Sequence, residues 1–527
     1  MPVWAFVPAD ACTGMYVGKR ASVSGAAMIC RTVDTPPTTR LFRAVVRERV
    51  ENRPGRVCRG FHGFCWPLPP TTYKYVCTPA TTSNAFGDFA SLGINEKGLA
   101  VSATVTGYSC EGIRKADPFV TEGLSEESMT GLIAASCATA REAVDLIAAV
   151  MAKAGGREGN IIMVADPNEA WYVETYSGHQ WAAMKMPEDK VAVFGNEYSI
   201  RAFDPSAPDV RASPDLVSMP EKAGLLVKAK NAPIDVFRTY GGSRHADFAH
   251  LRTWFGHRRF MPEGSVGDYA RELDLPHFFA PAHKIAADEV FELFRSRNEG
   301  TVWCPEETRR QDVRVIGDET QCTCHVIEIR DDVPAPLACT AWFTLGAAEH
   351  AVFLPMSACI KETAADFARD SKPGAARNAY DADVAAAHFR RLAAFAEQDR
   401  VFYGRSVRAY WRSCEQALLA SEPEVRAEAV RLYVEDPAAA ASYLTGRALV
   451  LQQAALADAK EMFDGLAWYV TEHNNARKYS MNYHTHVLTP FKPQQPYAVQ
   501  AKALLSAAED ARIEASSKIT TDTKGDL

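Results

Sequence analysis

Residues 12–34 read CTGMYVGKRASVSGAAMICRTVD. Small or apolar residues alternate with polar ones on both sides of the Ser24-Gly25 pair, a pattern that predicts a β-hairpin. The position numbers of antiparallel partners have a constant sum, so a turn centred between Ala21 and Ser24 places Cys12 opposite residues in the low to mid thirties. The hairpin therefore brings Arg31 and Asp34 beside the Cys12 thiol.

The surroundings of Cys12 suggest a nucleophile. A cysteine attacks as the thiolate, which a nearby guanidinium favours. No histidine precedes His62, so a base has to come from elsewhere. Removal of residues 1–11 would expose an α-amine with a pKa of about 7.7 to 8.0, and Asp34 would hold that amine in place. The alternative is that Cys12, one of thirteen cysteines, simply occupies the start of a strand.

Composition narrows the class of protein. A chain of 527 residues with 47% apolar content buries a large core, which fits two to four domains or one elaborated α/β domain with an extension. The net charge of −7 is mixed along the chain, which argues against nucleic acid and anionic membranes as partners. Thirteen scattered cysteines fit a reduced compartment. No stretch reaches the roughly 18 to 20 apolar residues of a membrane span, so a cytoplasmic location is expected.

The remaining patterns predict an α+β core. Ser125 and the capping box that begins at Thr139 start two helices. Residues 160–196 resemble a four-stranded meander, and residues 43–79 are expected to be an irregular aromatic loop that either lines a pocket or packs on the core. Alanine-rich helical periodicity begins near residue 378.

Two groups of residues contain potential metal ligands, but the spacing of neither group favours a metal site. Cys58, His62 and Cys65 lack a fourth ligand at the spacing of a zinc site. In the Cys322-x-Cys324-His325 run, side chains of a strand alternate between faces and do not converge on one ion.

Motifs along most of the chain resemble peptidase family C69, dipeptidases that belong to the N-terminal-nucleophile hydrolases. The similarity begins with Cys12-Thr13, Val17-Gly18-Lys19-Arg20-Ala21-Ser22 and Arg31-x-x-Asp34. It continues with Asn95-Glu96-Lys97-Gly98, Asp166-x-x-Glu169, Glu174, Gly178-His179-Gln180-Trp181, Asn196, Pro281-x-x-Lys284-Ile285, Arg295, Glu299-Gly300-Thr301, Thr320, Cys324-His325 and Arg330.

The resemblance implies a four-layer αββα N-terminal-nucleophile hydrolase fold with a C-terminal helical extension. The corresponding division is a propeptide at 1–11, a catalytic core at 12–377, a helical extension at 378–515 and a polar tail at 516–527. The extension would pack on the core or form the interface of a homo-oligomer.

The resemblance also implies the catalytic residues. Cys12 would be the nucleophile, with Arg31 and Asp34 tuning its thiol and amine. Asn196 would stabilise the oxyanion, and Arg252 would support the nucleophile. Neither a metal nor an organic cofactor is expected.

The implied function is hydrolysis of dipeptides or short peptides through a thioester acyl-enzyme. Two alternatives stay open: an acylase that cleaves N-acyl amides, as related bile-salt and penicillin V hydrolases do, and a non-catalytic secernin-like protein. The end of the strand at Thr104-Val105-Thr106, where related acylases place a polar residue, and the neighbours Glu174 and His179 are weaker candidates for the pocket.

Overall fold

A computed structural model of the chain describes residues 12–35, 41–81, 89–242, 247–310, 312–370 and 381–473. The predicted propeptide at 1–11 and the polar tail at 516–527 lie outside these residues. In the described part, no helix is long and apolar enough to cross a membrane.

The β-strands are listed in chain order. They are β1 (Gly14–Val17), β2 (Ala27–Asp34), β3 (Val45–Arg47), β4 (Val50–Glu51), β5 (Val57–Arg59), β6 (Cys65–Pro67), β7 (Thr71–Thr72), β8 (Tyr75–Pro79), β9 (Ala90–Asn95), β10 (Ala100–Gly107), β11 (Gly159–Ala165), β12 (Ala170–Thr175), β13 (Trp181–Lys185), β14 (Val191–Phe194), β15 (Ala202–Phe203), β16 (Val210–Ala212), β17 (Ile234–Asp235), β18 (Gln321–Ile329), β19 (Cys339–Phe343) and β20 (Leu354–Ser357).

The α-helices follow the same convention. They are α1 (Glu111–Ala116), α2 (Glu126–Ser136), α3 (Ala140–Lys153), α4 (Ser218–Lys222), α5 (Asp247–Phe260), α6 (Ala287–Arg295), α7 (Pro305–Thr308), α8 (Ala365–Ala368), α9 (Ala385–Ala396), α10 (Arg405–Glu435) and α11 (Pro437–His473).

The hairpin predicted from residues 12–34 is confirmed. Strands β1 and β2 pair antiparallel with Gly14 opposite Arg31 and Val17 opposite Met28. The turn contains Gly25 at φ 72°, a conformation that glycine adopts without strain. The alternation of the two strands and the glycine in the turn therefore predict the same hairpin. Its register determines which residues lie opposite Cys12.

Two antiparallel sheets form the centre of the fold. A six-stranded sheet has the order β14-β1-β2-β18-β19-β20, and an eight-stranded sheet has the order β16-β13-β12-β11-β10-β9-β8-β3. Strand β2 packs on β10 and β11 across the space between the sheets. Helices α2 and α3 cover the outer side of the larger sheet, while α5 and α6 cover the smaller one. The layering is αββα, as expected.

The four-stranded meander predicted over residues 160–196 is wrong in one respect. Strands β11, β12 and β13 are consecutive neighbours, but the next neighbour of β13 is β16. Strand β14 crosses to the smaller sheet and pairs with β1. The alternation of apolar and polar residues along a strand shows which side chains are buried. It does not show which strand is the neighbour, because each of the two sheets buries an apolar face against the other.

The loop predicted over residues 43–79 is also corrected. Strands β3 and β8 extend the larger sheet, and β4–β7 and β5–β6 form two small ladders. Phe64 is buried in the apolar cluster under α2 and α3. The strands are only two to five residues long and contain prolines, so their alternation is too brief to recognise.

Helices α9, α10 and α11 occupy the described part of the predicted helical extension. Helix α10 ends at Glu435 and α11 begins at Pro437, so the Asp436-Pro437 pair separates the two helices. Helix α11 packs on α9, α10 and strand β20. A buried ion pair between Arg295 of α6 and Glu415 of α10 ties these helices to the sheet layers.

Candidate active site

Cys12 lies two residues before Gly14, the first residue of strand β1 in the smaller sheet. The Cys12 side chain is buried. The next residue, Thr13, makes two hydrogen bonds with Thr32. Thr13 N donates to Thr32 Oγ1 at 3.0 Å, and Thr32 N donates to Thr13 O at 2.9 Å. Gly14 lets β1 approach β14 closely, since a Cβ there would lie 2.3 Å from the Phe194 ring. The thiol is therefore held by a rigid strand start.

Arg31 contacts the thiol, as the hairpin predicts. Its Nη2 donates to Cys12 Sγ at 3.4 Å and to Glu126 Oε1 at 2.8 Å. The Arg31 side chain is fully buried. Burial acts to lower the pKa of Arg31, but the charges of Cys12 and Glu126 outweigh it and the pKa is raised. The guanidinium thus remains a permanent positive charge beside the sulfur.

Asp34 is the last residue of β2, three residues after Arg31. Its Oδ2 accepts from Arg314 Nη2 at 3.1 Å, while buried Oδ1 has no hydrogen-bond partner among the described residues. Burial raises the pKa of Asp34 to about 6, although the charges of Arg314 and Arg252 act to lower it. The Asp34 charge also acts on the Cys12 thiol, and a buried acceptor in this position is suited to hold a cationic amine.

Asn196 follows β14 by two residues. The register of β1 and β14 pairs Gly14 with Phe194, and its continuation by two residues places Asn196 opposite Cys12. Asn196 Nδ2 donates to Thr106 O at 3.1 Å, which leaves its second hydrogen for another acceptor. The crossing of β14 to the smaller sheet therefore brings the Asn196 amide to the neighbourhood of Cys12.

Arg252, on helix α5, joins these parts. Its Nη1 donates to the Cys12 carbonyl and, at 2.9 Å, to Thr13 Oγ1. Its Nη2 donates to Asn196 Oδ1 at 2.7 Å. All five predicted site residues, Cys12, Arg31, Asp34, Asn196 and Arg252, are buried around one end of β1 and β2.

The surroundings of the Cys12 thiol favour its protonated form. Burial raises the pKa of Cys12, and the Arg31 charge lowers it only in part. His325 is paired with Arg31 in the sheet, but its Nε2 contacts Ser102 Oγ at 2.8 Å on the opposite sheet. Burial and the Arg31 charge lower the pKa of His325 well below its usual value. His325 therefore bridges the sheets as a neutral side chain.

Sequence reasoning missed three partners in the site. They are Glu126, which pairs with Arg31; Arg314, which pairs with Asp34; and Thr32, which fixes Thr13. Glu126 is the first residue of α2, at the helix start that the sequence predicts. The predicted helix start indicates where Glu126 lies along the chain. It does not indicate that Glu126 contacts Arg31.

Two weaker candidates have different surroundings. Glu174 is buried and accepts from Tyr172, Tyr176 and the backbone of Ser199, so it holds the segment after Asn196. His179 is paired with Asp117, and about half of its side chain is exposed. Neither residue contacts Cys12 among the hydrogen bonds and ion pairs of the described residues.

One potential metal-ligand cluster occurs among the described residues: Glu349, His350 and Glu397. Arg400 and Arg408 both contact the Glu349 carboxylate. Burial raises the pKa of Glu349 to about 7. Two guanidiniums at the carboxylate oppose a cation there, so the cluster is better explained as an ion-pair network between the core and the helices.

The αββα layering, with the buried Cys12 thiol in contact with Arg31 at the end of one sheet, is the architecture of the N-terminal-nucleophile hydrolases. A family model described as peptidase family C69 matches residues 11–405. The chain belongs to this family and is accordingly a peptide-bond hydrolase.

Two curated relatives of this chain are named dipeptidases. A protein named probable dipeptidase B from Streptococcus pyogenes serotype M1 is 30% identical over 369 residues, which cover 67% of this chain and 73% of the relative. A probable dipeptidase from Latilactobacillus sakei is 29% identical and is covered to 79% of its length. Among solved structures, a mutant of the conjugated bile acid hydrolase from Clostridium perfringens matches with a TM-score of 0.32 and 10% identity, over 66% of this chain and 92% of that one.

Proposed function

We propose that this chain is a cysteine dipeptidase that hydrolyses dipeptides or short peptides, with Cys12 as its N-terminal nucleophile. The observation that carries the proposal is the contact of Arg31 with the Cys12 thiol, next to an amide held by Arg252. The relatives named probable dipeptidases support the choice of substrate.

The first step is removal of residues 1–11. Water adds across the amide between Ala11 and Cys12, which leaves a carboxylate on Ala11 and an α-amine on Cys12. Asp34 Oδ1 is the acceptor that we assign to this amine in its protonated form. The amine then replaces the histidine that other thiol hydrolases use as a base.

In acylation, the Cys12 amine takes the thiol proton and the thiolate attacks the scissile carbonyl. The second hydrogen of Asn196 Nδ2 donates to the developing oxyanion, and Arg31 stabilises the thiolate. The tetrahedral intermediate collapses as the C–N bond breaks, and the ammonium of Cys12 gives its proton to the leaving amine. A thioester and the carboxyl-terminal product result.

In deacylation, water attacks the thioester carbonyl while the Cys12 amine accepts a proton from it. The C–S bond then breaks, the acid product leaves and the thiol regains its proton. All proton transfers use one amine, so no metal or organic cofactor enters the scheme.

The intact mass and N-terminal sequence of purified wild-type protein, beside Cys12→Ala, test the proposal. We expect the wild type to begin at Cys12 and to hydrolyse free dipeptides, and we expect Cys12→Ala to keep residues 1–11 and to be inactive. Cys65→Ala, which removes an exposed cysteine, is the matched control and should behave as wild type.

Other results assign other functions. Activity on N-acyl amides but not on dipeptides selects an acylase. Retention of residues 1–11 in active wild-type preparations refutes the free-amine mechanism, and retention without any thiol-dependent hydrolysis favours a non-catalytic protein.

A further inference from the structure

A carboxylate lies within reach of any substrate bound at Cys12. Glu126 Oε1 and Cys12 Sγ both contact Arg31 Nη2, at 2.8 and 3.4 Å. Because the two contacts share one nitrogen, the carboxylate and the sulfur are separated by no more than two hydrogen-bond lengths. This juxtaposition is not needed for the steps described above.

The distance matches the amino terminus of a short peptide. In a substrate whose first residue carries the scissile carbonyl, the α-nitrogen lies about 2.5 Å from the carbonyl carbon, by standard backbone geometry. A carbonyl carbon poised for attack lies about 3 to 3.5 Å from the nucleophile. The distance from Cys12 Sγ to the α-ammonium of such a substrate is therefore similar to the distance from Sγ to the Glu126 carboxylate.

Accessibility separates Glu126 from the other nearby acid. One fifth of the Glu126 side chain is exposed, whereas the Asp34 side chain is fully buried and paired with Arg314. Asp34 can serve an amine that belongs to the chain itself, but a diffusing substrate reaches Glu126. Asp34 is thus suited to the amine of Cys12, and Glu126 is suited to the amine of the substrate.

Further groups make this corner of the site suitable for a ligand. Arg31 is fully buried, and its Nε and Nη1 have no hydrogen-bond partner among the described residues, so donors remain beside the thiol and Glu126. Glu126 N donates to Glu158 Oε1 at 2.7 Å, which fixes the start of α2 and adds a second carboxyl group behind Glu126.

We infer that Glu126 binds the α-ammonium of the substrate, so that the site takes peptides with a free amino terminus and cleaves the bond after their first residue. This inference rests on the proposed function and goes further, because it names the feature of the substrate that is recognised. Glu126 is then a specificity residue as well as the partner of Arg31.

The test compares three substrates with the processed enzyme: alanyl-alanine, N-acetyl-alanyl-alanine, and propionyl-alanine, in which a hydrogen replaces the ammonium. We expect wild type to prefer alanyl-alanine in kcat/KM over propionyl-alanine by about 10- to 100-fold, the range for one charge-assisted hydrogen bond. Equal kcat/KM values for these two substrates would overturn the inference without any variant.

Glu126→Gln is expected to lose that preference, mainly through a higher KM for alanyl-alanine. The ratio of kcat/KM values is the readout, because any disturbance of Arg31 affects all three substrates and cancels. Glu127→Gln removes a charge from the next residue of the same helix and should leave the ratio unchanged. An equal fall on all substrates in Glu126→Gln shows that Glu126 only positions Arg31, which contradicts the inference.

Glu126→Asp covers the case in which Glu126→Gln does not fold, as judged by circular dichroism. It keeps the charge one methylene further back, so we expect it to keep the preference for the ammonium with a raised KM. Loss of that preference in a folded Glu126→Asp enzyme also contradicts the inference. If wild type that begins at Cys12 hydrolyses none of the substrates, the proposed function itself fails, which is a distinct result.

Discussion

Arg252 Nη2 donates a 2.7 Å hydrogen bond to Asn196 Oδ1, while Nη1 of the same guanidinium donates to the carbonyl of Cys12. One buried side chain therefore fixes both the main chain of the proposed nucleophile and the amide that faces it. Because Oδ1 is taken by Arg252, the donor side of the amide is presented away from α5. Arg252 acts through its neighbours and is a positioning residue.

Replacement of Arg252 tests this positioning. Arg252→Gln cannot reach Cys12 and Asn196 together, so we expect kcat to fall by about 100-fold, the effect of a misplacement near 1 Å, with a much smaller change in KM. Arg259→Gln, at an exposed position on the same helix, should keep both constants. A rise in KM with unchanged kcat would place Arg252 in substrate binding instead.

The amide of Asn196 has two separable roles. Asn196→Asp retains an acceptor for Arg252 but loses the donor to Thr106 O and to the oxyanion, so we expect a smaller loss of stability than for Asn196→Ala and a loss of about 10²- to 10³-fold in kcat. Asn196→Ala should lose similar activity and also unfold at a lower temperature, because Arg252 Nη2 is left buried without its acceptor. Kinetics and thermal unfolding of both variants separate the roles, and an active Asn196→Asp enzyme would remove Asn196 from the oxyanion site.

The sequence-based prediction succeeded where interactions are local. The hairpin of residues 12–34 combines strand alternation with a glycine turn, and its register brings Arg31 to Cys12 without any knowledge of the rest of the fold. The roles of Asn196 and Arg252, in contrast, came from family resemblance, since no pattern in the chain links them to Cys12.

The partners that were missed are distant in sequence. Glu126 lies 95 residues from Arg31, and Arg314 lies 280 residues from Asp34. Ion pairs between such positions leave no periodic signal, and each charge alone is typical of a solvated surface. The crossing of β14 to the smaller sheet was missed for a related reason, because register and sheet membership depend on tertiary packing.

Asp34 predicts a specific pH dependence of stability. Burial raises its pKa from 3.8 to about 6 in the fold. The folded chain thus binds this proton more tightly than the unfolded chain, so the stabilisation is fully present below about pH 4 and is lost as the pH rises through about 6. Asp34→Asn cannot ionise and escapes that loss.

The measurement compares Tm for Cys12→Ala with that for Cys12→Ala/Asp34→Asn, a pair in which the chain keeps residues 1–11 under the proposed mechanism. We expect the double variant to gain in Tm relative to the single variant between pH 4.5 and pH 7.5. Asp268→Asn, at an exposed aspartate, gives the baseline. A relative Tm that falls over this interval would mean that pairing with Arg314 outweighs burial.

The ion pair between Arg295 and Glu415 predicts how far the sheet layers depend on the helices that follow residue 405. Both side chains are 3% exposed and joined by hydrogen bonds of 2.6 and 2.8 Å, and Glu415 Oε1 also accepts from Phe353 N at 2.8 Å. Glu415→Gln removes the buried carboxylate of the two that contact Arg295 and leaves the partly exposed Glu292 at 3.0 Å, so we expect a loss of about 1.5 to 3 kcal/mol in the free energy of unfolding. Glu424→Gln, at an exposed position on the same helix, should change that free energy by less than about 0.5 kcal/mol.

Since neither Arg295 nor Glu415 contacts Cys12, the fraction of Glu415→Gln that remains folded should keep the kcat of wild type. A wild-type urea midpoint for Glu415→Gln would show that this ion pair does not stabilise the junction between α6 and α10.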